Sequence, residues 1–314
     1  MIIVTGGAGF VGSNIVAALN ERGEKDILVV DHLRDGHKMR NLADLDISDY
    51  MDREDFAEYL KAGKSFGKVA AVFHQGACSA TTEWDGKFVM RNNFAYSKLL
   101  LHWCQDQAAQ FIYASSASVY GLGTNGFRED RACELPINMY AYSKFQFDQY
   151  VRKLQSELRY QCVGLRYFNV YGPREQHKGS MASTALHFHN QLAASGVARL
   201  FAGTDGIADG GQRRDFVYVE DCAKVNLWFL DNPGKVGIFN LGTGVPRSFN
   251  DMAKAVIACV SHGSIKYIPF PDHLVGSYQT FTQAELSALR NAGYRERFHS
   301  LEEGISKYSS WLTR

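Results

Sequence analysis

Nowhere does this chain of 314 residues carry a basic run longer than Arg213-Arg214, and 34 Lys and Arg against 33 Asp and Glu leave a formal net charge of only +1. A face that tracks a phosphate backbone needs clustered positive charge, so nucleic-acid binding is excluded and any anionic ligand is expected to be small. Cysteine is sparse as well. The six cysteines, at positions 78, 104, 133, 162, 222 and 259, form no C-x-x-C pair, and a domain this large needs no disulfide staples, so a reducing compartment is expected. No apolar stretch approaches the roughly 20 residues that span a bilayer. The opening MIIVTGG has neither the basic n-region nor the small-residue cleavage site of a secretion signal. Both absences predict a cytoplasmic protein with no membrane partner. Internal repeats and low-complexity segments are missing too. What remains, 46% apolar and 21% charged, is the composition of an ordinary globular chain of one or two domains.

Short β-branched runs alternate with helix-period stretches. IIVT (2–5) precedes glycines and the helical set Val11, Ile15, Ala18 and Leu19, and ILVVD (27–31) follows, which makes a βαβ unit. The alternation continues through a third strand at DLDI (44–47), VAAVFH (69–74), a helix from about 91 to 105, QFIYASS (110–116), a helix from about Tyr140, and CVGLRYF (162–168). This predicts an α/β fold, a Rossmann-type doubly wound parallel sheet covered by helices on both faces. From 169 the regularity fades, with one helical run near 181–194, strand-like RDFVYV (214–219) and GIFNLGTG (237–244), and a mostly helical tail from Phe249. The expected organisation is a dinucleotide-binding domain of residues 1–168 plus about 214–243. A smaller mixed substrate domain of 169–213 plus about 244–314 is interleaved with it.

GGAGFVG (6–12) sets Gly6, Gly9 and Gly12 directly after a strand and directly before a helix. That context lets amides at a helix N-terminus approach a pyrophosphate, and Asp31 at the end of the second strand is placed to accept from an adenosine ribose. A carboxylate there favours the free 2′-hydroxyl of NAD. Arg34, Lys38 and Arg53 gather nearby in sequence, and three cations near one ribose make a site for the 2′-phosphate of NADP. A second motif joins SSASVYG (115–121) to MYAYSK (139–144). Tyr140 and Lys144, four apart at a helix start, share one face, and a nearby cation is expected to lower the phenol's pKa toward neutrality. The tyrosine then exchanges a proton with an alcohol while a nicotinamide exchanges the hydride. Other signals fail: GKS (63–65) lacks the upstream glycine of a phosphate loop, and His187 and His189, two apart on a helix, face differently and make no metal site.

GGAGFVG, Asp31, FHQGA (73–77), Asn92, SSASVYG, Tyr140 with Lys144 and RYFNVYGP (166–173) stand in the order of the extended short-chain dehydrogenase/reductase family of nucleotide-sugar enzymes, which this sequence resembles. The resemblance implies that Ser116, Tyr140 and Lys144 form the catalytic set. It places cofactor contacts at Phe10, Val11, His32, Lys38, Arg53, Gln75, Gly76, Ala77, Cys78, Ser79, Asn92, Val170 and Lys178, besides Asp31 and the glycines. The 4,6-dehydratases of this family carry an Asp-Glu pair after the strand-end Ser/Thr; here Ala117 and Ser118 stand there, so water elimination is disfavoured.

REQHKGSMAS (174–183), LFAGT (200–204), GGQRRDFVYVEDC (210–222) and TTEWDGK (81–87) resemble the branch of the family that epimerises ADP-linked heptoses. An epimerase must present one ketone to the same nicotinamide in two orientations, and one fixed acid/base cannot serve both. In that branch a lysine at the position of Lys178 is placed to be the second group. The branch uses NADP despite the acid on strand two, and its members are homo-oligomers, taken here as pentamers. This sequence departs from it at His32, where asparagine is common, and at Gln75, where a glutamate may stand. The resemblance implies ADP-heptose contacts at Asn169, Ser180, His187, Phe201, Ala202, Gly203, Thr204, Arg214 and Tyr278. Arg214 is chosen over Arg213 because it directly precedes DFVYV. A UDP-hexose 4-epimerase remains an alternative, and a non-catalytic dinucleotide sensor is expected to have lost Tyr140 or Lys144, both present here.

Overall fold

Strands Ile2–Thr5, Ile27–Asp31, Asp49–Asp52, Ala71–His74, Gln110–Ser116, Cys162–Tyr167 and Gly237–Leu241 pair in parallel throughout one sheet. The coordinates are a computed structural model, and the structure describes residues 1–204, 206–271 and 278–313. In space the strands run third, second, first, fourth, fifth, sixth, seventh. The chain therefore starts in mid-sheet and winds outward both ways, with its switch point between Ile2–Thr5 and Ala71–His74. In open sheets of this kind ligands bind beyond the carboxyl ends of the strands at that point.

Successive strand residues point to opposite faces, and both faces here are apolar. Val4, Val29, Phe73 and Ile112 pack beneath the helices Phe10–Glu21, Val219–Asp231 and Ser287–Ala292. Ile3, Leu28, Val30, Val72 and Phe111 pack beneath Arg53–Lys61, Tyr96–Asp106 and Met139–Leu154. A third core, including Leu186, Phe188, Leu192, Met252, Val256 and Ile305, holds the helices Thr184–Ser195, Phe249–Val260 and Leu301–Leu312 together beside the sheet.

Several expected elements differ. The third strand is Asp49–Asp52, not 44–47. An edge strand pairs on one side only and needs no apolar run, while Leu45 and Ile47, which suggested a strand, pack against the core from a loop. The helix expected from about 91 is three pieces: Gly86–Val89, a π-turn at Met90–Ala95, and Tyr96–Asp106. The tail contains a strand, Ser264–Ile268, paired in parallel with Val197–Phe201. RDFVYV breaks into Arg213–Arg214, antiparallel to Arg247–Ser248, and Phe216–Tyr218, parallel to Asn169–Tyr171. That last pair joins segments from either side of the expected domain boundary. Among the described residues no helix is long and apolar enough to cross a membrane.

Candidate active site

A cleft of about 960 Å³ opens at the carboxyl ends of the central strands, between the sheet and the third core. One end is built from the glycine-rich turn. Gly6 has φ +68°, and a Cβ on it would stand 2.5 Å from the Gly76 nitrogen; a Cβ on Gly12 would stand 2.2 Å from the Gly6 oxygen. Only glycine allows the two loops to close this tightly. The helix starting at Phe10 is capped by Gly9 with no side-chain bond, so its first-turn amides are left for an anion. These features fit a dinucleotide pyrophosphate.

Asp31 is buried, and its carboxylate accepts from Ala8 N (3.0 Å), His32 N (2.7 Å) and Lys38 Nζ (2.9 Å). Both oxygens are thus held by the protein itself. Arg34 pairs with Glu54 at 3.1 Å, and Arg53 donates to Asn92 Oδ1 at 2.9 Å. His32 Nδ1 is buried without a partner among the described residues, and burial, then Lys38, hold its pKa below the usual histidine range. His177, which sequence reasoning missed, lines the same wall, with its Nδ1 3.2 Å from the Asn41 amide. It adjoins Lys178 in sequence, and that was the only signal available. Burial, Lys38 and Lys178 lower its pKa.

Gly76, Ala77, Cys78, Ser79, Asn92 and Val170 line the cleft. Gln75 lines it too, but its side chain turns inward: Tyr167 Oη donates to Gln75 Oε1 at 2.9 Å and itself accepts from Asn226 at 2.9 Å. Gln75 is half-buried at the cleft, with its Oε1 held by Tyr167.

Ser116 ends the fifth strand, and its Oγ accepts from Ser118 N at 3.2 Å and Ser118 Oγ at 2.8 Å. Asn138 caps the next helix through Ala141 N (2.8 Å), which brings Tyr140 and Lys144 to the cleft one turn apart. Lys144 Nζ donates to the Ala114 carbonyl at 2.7 Å; burial pulls its pKa down to about 8 against the opposing charge of Asp148. Tyr140 departs from expectation. Burial raises its pKa, opposed by a hydrogen bond with Ser116, and Cys78 adds to the rise. The Lys144 ammonium is spent on the Ala114 carbonyl, and desolvation of the phenolate wins. The neighbouring Ser115 donates its hydroxyl to the buried Asp148 at 2.9 Å, and Tyr142 is 42% exposed.

Lys178 lies on the loop after Tyr171, half-buried, its Nζ 5.1 Å from the centre of the Phe10 ring. Burial lowers its pKa and Glu175 opposes this. The loop is moored to the dinucleotide end by Asn14, which donates to Pro173 O (3.0 Å), and by Arg174, whose two Nη groups meet Asp44 at 2.8 and 2.7 Å.

Farther along, Asn169, Arg214 and Tyr278 line the cleft. Arg214 is buried, whereas Arg213 is exposed, which places Arg214 in the site. Its guanidinium lies over Tyr278 at 5.0 Å and over Phe249 at 5.5 Å, donates to Arg213 O, and meets no carboxylate among the described residues. A buried cation of this kind is built to meet an anion. Phe249 and Gln279 were not foreseen; both come from far along the chain with no local signal. Ser180, His187 and the Phe201–Thr204 stretch stand outside the cleft wall. His187 Nε2 faces Ser180 O at 3.3 Å, Gly203 N donates to Asp209 at 2.7 Å, and the Phe201 ring supports Tyr278 edge-on at 6.3 Å. Ser180 and Gly203 are held by these bonds, and His187 sits on the helix Thr184–Ser195, whose buried side carries Leu186, Phe188 and Leu192. Among the described residues no group of three His, Cys, Asp or Glu is placed to hold a metal.

A dinucleotide cradle opening onto Ser116, Tyr140 and Lys144 defines an enzyme that moves a hydride and a proton at an alcohol carbon. The chain belongs to the NAD dependent epimerase/dehydratase family, whose model matches residues 2–242. It is 59% identical over 308 residues to an ADP-L-glycero-D-manno-heptose-6-epimerase of Alkalilimnicola ehrlichii, covering 98% of this chain and 96% of that one. The crystal structure of the Helicobacter pylori ADP-L-glycero-D-manno-heptose-6-epimerase is similar with TM-score 0.85 and 30% identity, over 99% of this chain and 96% of that one. A UDP-N-acetylglucosamine 4-epimerase of Methanobrevibacter ruminantium is similar with TM-score 0.85 and 25% identity, over 99% and 97%.

Proposed function

We propose that the protein converts ADP-D-glycero-β-D-manno-heptose to its L-glycero epimer by oxidation at C6 and reduction on the opposite face. The 59% identity across nearly the whole chain supports the substrate. The observation that carries the mechanism is that Tyr140 and Lys178, from separate segments, line one cleft. Tyr140 holds or releases a proton at its Oη in one orientation of the sugar, with Ser116 in hydrogen-bond reach. Lys178 does so at Nζ in the other, and its partial burial brings it toward a pKa at which it can both take and give a proton. The nicotinamide, when bound, supplies the hydride acceptor and donor. Arg214 takes the diphosphate and Tyr278 packs against the nucleoside.

NADP is the dinucleotide proposed. Lys38 already neutralises Asp31, and Arg34, Arg53 and His32 line the same end of the cleft. That leaves net positive charge where a 2′-phosphate would sit. We further propose, from the resemblance of its motifs to the ADP-heptose branch, a cytoplasmic homo-oligomer, a pentamer, that supplies inner-core heptose for lipopolysaccharide. The test is to incubate the protein as purified, without added dinucleotide, with ADP-D-glycero-D-manno-heptose and to separate products by anion exchange or NMR. The L-glycero epimer is expected. No conversion even with NADP added sends the substrate back to the UDP-sugars, to which the UDP-N-acetylglucosamine 4-epimerase likeness points.

A further inference from the structure

Glu175 is 0% exposed, and no lysine or arginine of the described residues forms an ion pair with it. Burying a carboxylate without a cation is costly, so the donors around it carry information. They come from both ends of one loop. Gly172 N, at the entry, donates to Oε1 at 3.3 Å; Ser183, at the exit, donates its N to Oε2 and its hydroxyl to Oε1, both at 2.6 Å. Ser183 is also the N-cap of the helix Thr184–Ser195, through Leu186 N. Between these ends the loop turns over the cleft, and Lys178 N donates to the backbone oxygen of Glu175 at 3.0 Å. One carboxylate thus ties together the two loop ends and the start of a helix, with Lys178 between them.

The neighbouring residue works on the opposite side. Arg174 is buried with φ +73°, a conformation unusual for a side-chain-bearing residue, and its guanidinium reaches Asn41 O (2.7 Å) and Asp44. Consecutive residues therefore clamp the loop outward in both directions, Arg174 to the dinucleotide end and Glu175 to the helix beside the substrate end.

Resting on the reading of Lys178 as the second acid/base, we infer that Glu175 is its positioning residue, closing the Gly172–Ser183 loop so that the ammonium is held over the cleft and setting the charge it feels. Three groups face Lys178. Glu175 and His177 come from its own loop, the Phe10 ring comes from the first helix, and Tyr308 faces Glu175 from the last helix. Of these Glu175 is the one anion, and it favours the charged amine, as the Phe10 ring face does more weakly.

The test uses Glu175→Gln, which keeps the shape and removes the charge, and Glu175→Asp, which keeps the charge and shortens the reach. Lys178 is followed by ¹³C NMR of lysine-labelled protein, with its resonance assigned by its loss in Lys178→Met, and kcat and KM are measured alongside. In Glu175→Gln the Lys178 titration is expected to move to lower pH. The kcat should fall about tenfold to hundredfold with KM changed little, since displacement of about 1 Å costs this much. Glu175→Asp is expected to lower kcat while leaving the titration near that of the parent. An unshifted titration, or an unchanged kcat, in a folded Glu175→Gln protein that retains dinucleotide overturns the inference. Should that variant not fold, an unchanged kcat in Glu175→Asp overturns it instead. If the parent protein does not epimerise the heptose, the substrate reading fails, and the NMR titration still decides the role of Glu175.

Discussion

Lys38 Nζ stands 2.9 Å from Asp31 Oδ1, and both side chains are largely buried. The acid that in an isolated motif would argue for NAD is paired before any ligand arrives, so it presents little repulsion to a 2′-phosphate.

Replacing that lysine is expected to separate the two dinucleotides. In Lys38→Met, NADP affinity should fall about tenfold to hundredfold, the worth of one charge-assisted hydrogen bond, while NAD binding changes less. Fluorescence titration with each dinucleotide reads both. A preference for NAD in the parent protein would defeat the NADP proposal outright.

Tyr140→Phe deletes only a hydroxyl at the cleft. Turnover is expected to drop by about 10²- to 10⁴-fold, the range for loss of a general acid/base, with the melting temperature unchanged. Lys178→Met should be comparably slow while still binding dinucleotide. NMR of the epimer ratio over time is the measurement, and equilibration by Lys178→Met at the parent rate would remove lysine from the mechanism.

The pH dependence follows from Lys144. Burial brings its pKa to about 8, and a lysine is charged below its pKa, so kcat is expected to fall as pH rises through about 8. Stability has the opposite sign. An unfolded lysine keeps its proton to about pH 10.4, so between about 8 and that value the unfolded chain binds more protons than the folded one. The contribution of Lys144 to stability therefore rises over that window. A rate profile flat to pH 9 would show that Lys144 does not limit turnover.

Gly12→Ala forces a Cβ to within 2.2 Å of the Gly6 carbonyl, a backbone atom that cannot swing aside. The variant is expected to lose its retained dinucleotide and about 1–3 kcal/mol of stability. The absorbance of nucleotide released on denaturation, together with thermal melting, tests this.

Much of the sheet was legible because a strand buried on both faces must be apolar throughout, as IIVT and ILVVD are. The edge strand Asp49–Asp52 was not, since half of its bonding is to water and its composition is free. The π-turn at Met90–Ala95 was hidden because α and π segments draw on the same residues. On the substrate side the sequence pointed at Arg214 and Tyr278, which line the cleft, and also at Ser180 and His187, which do not. The loop residue Ser180 carries no periodicity from which its direction could be read, and the side of the helix Thr184–Ser195 on which His187 stands is set by the packing of Leu186, Phe188 and Leu192 in the third core.

The sequence alone determined the spacings: a glycine at each step where two backbones meet, an acid one βα unit later, a tyrosine and a lysine one helical turn apart. These are local, set by chain geometry within one βα unit or one helical turn. Tertiary structure decided what each group feels. It set Lys144 against the Ala114 carbonyl, paired Lys38 with Asp31, turned Gln75 inward to Tyr167, and packed Phe249 under Arg214. Desolvation and charge act through space, across 130 residues of chain in the Arg174–Asp44 pair, and no local pattern encodes them.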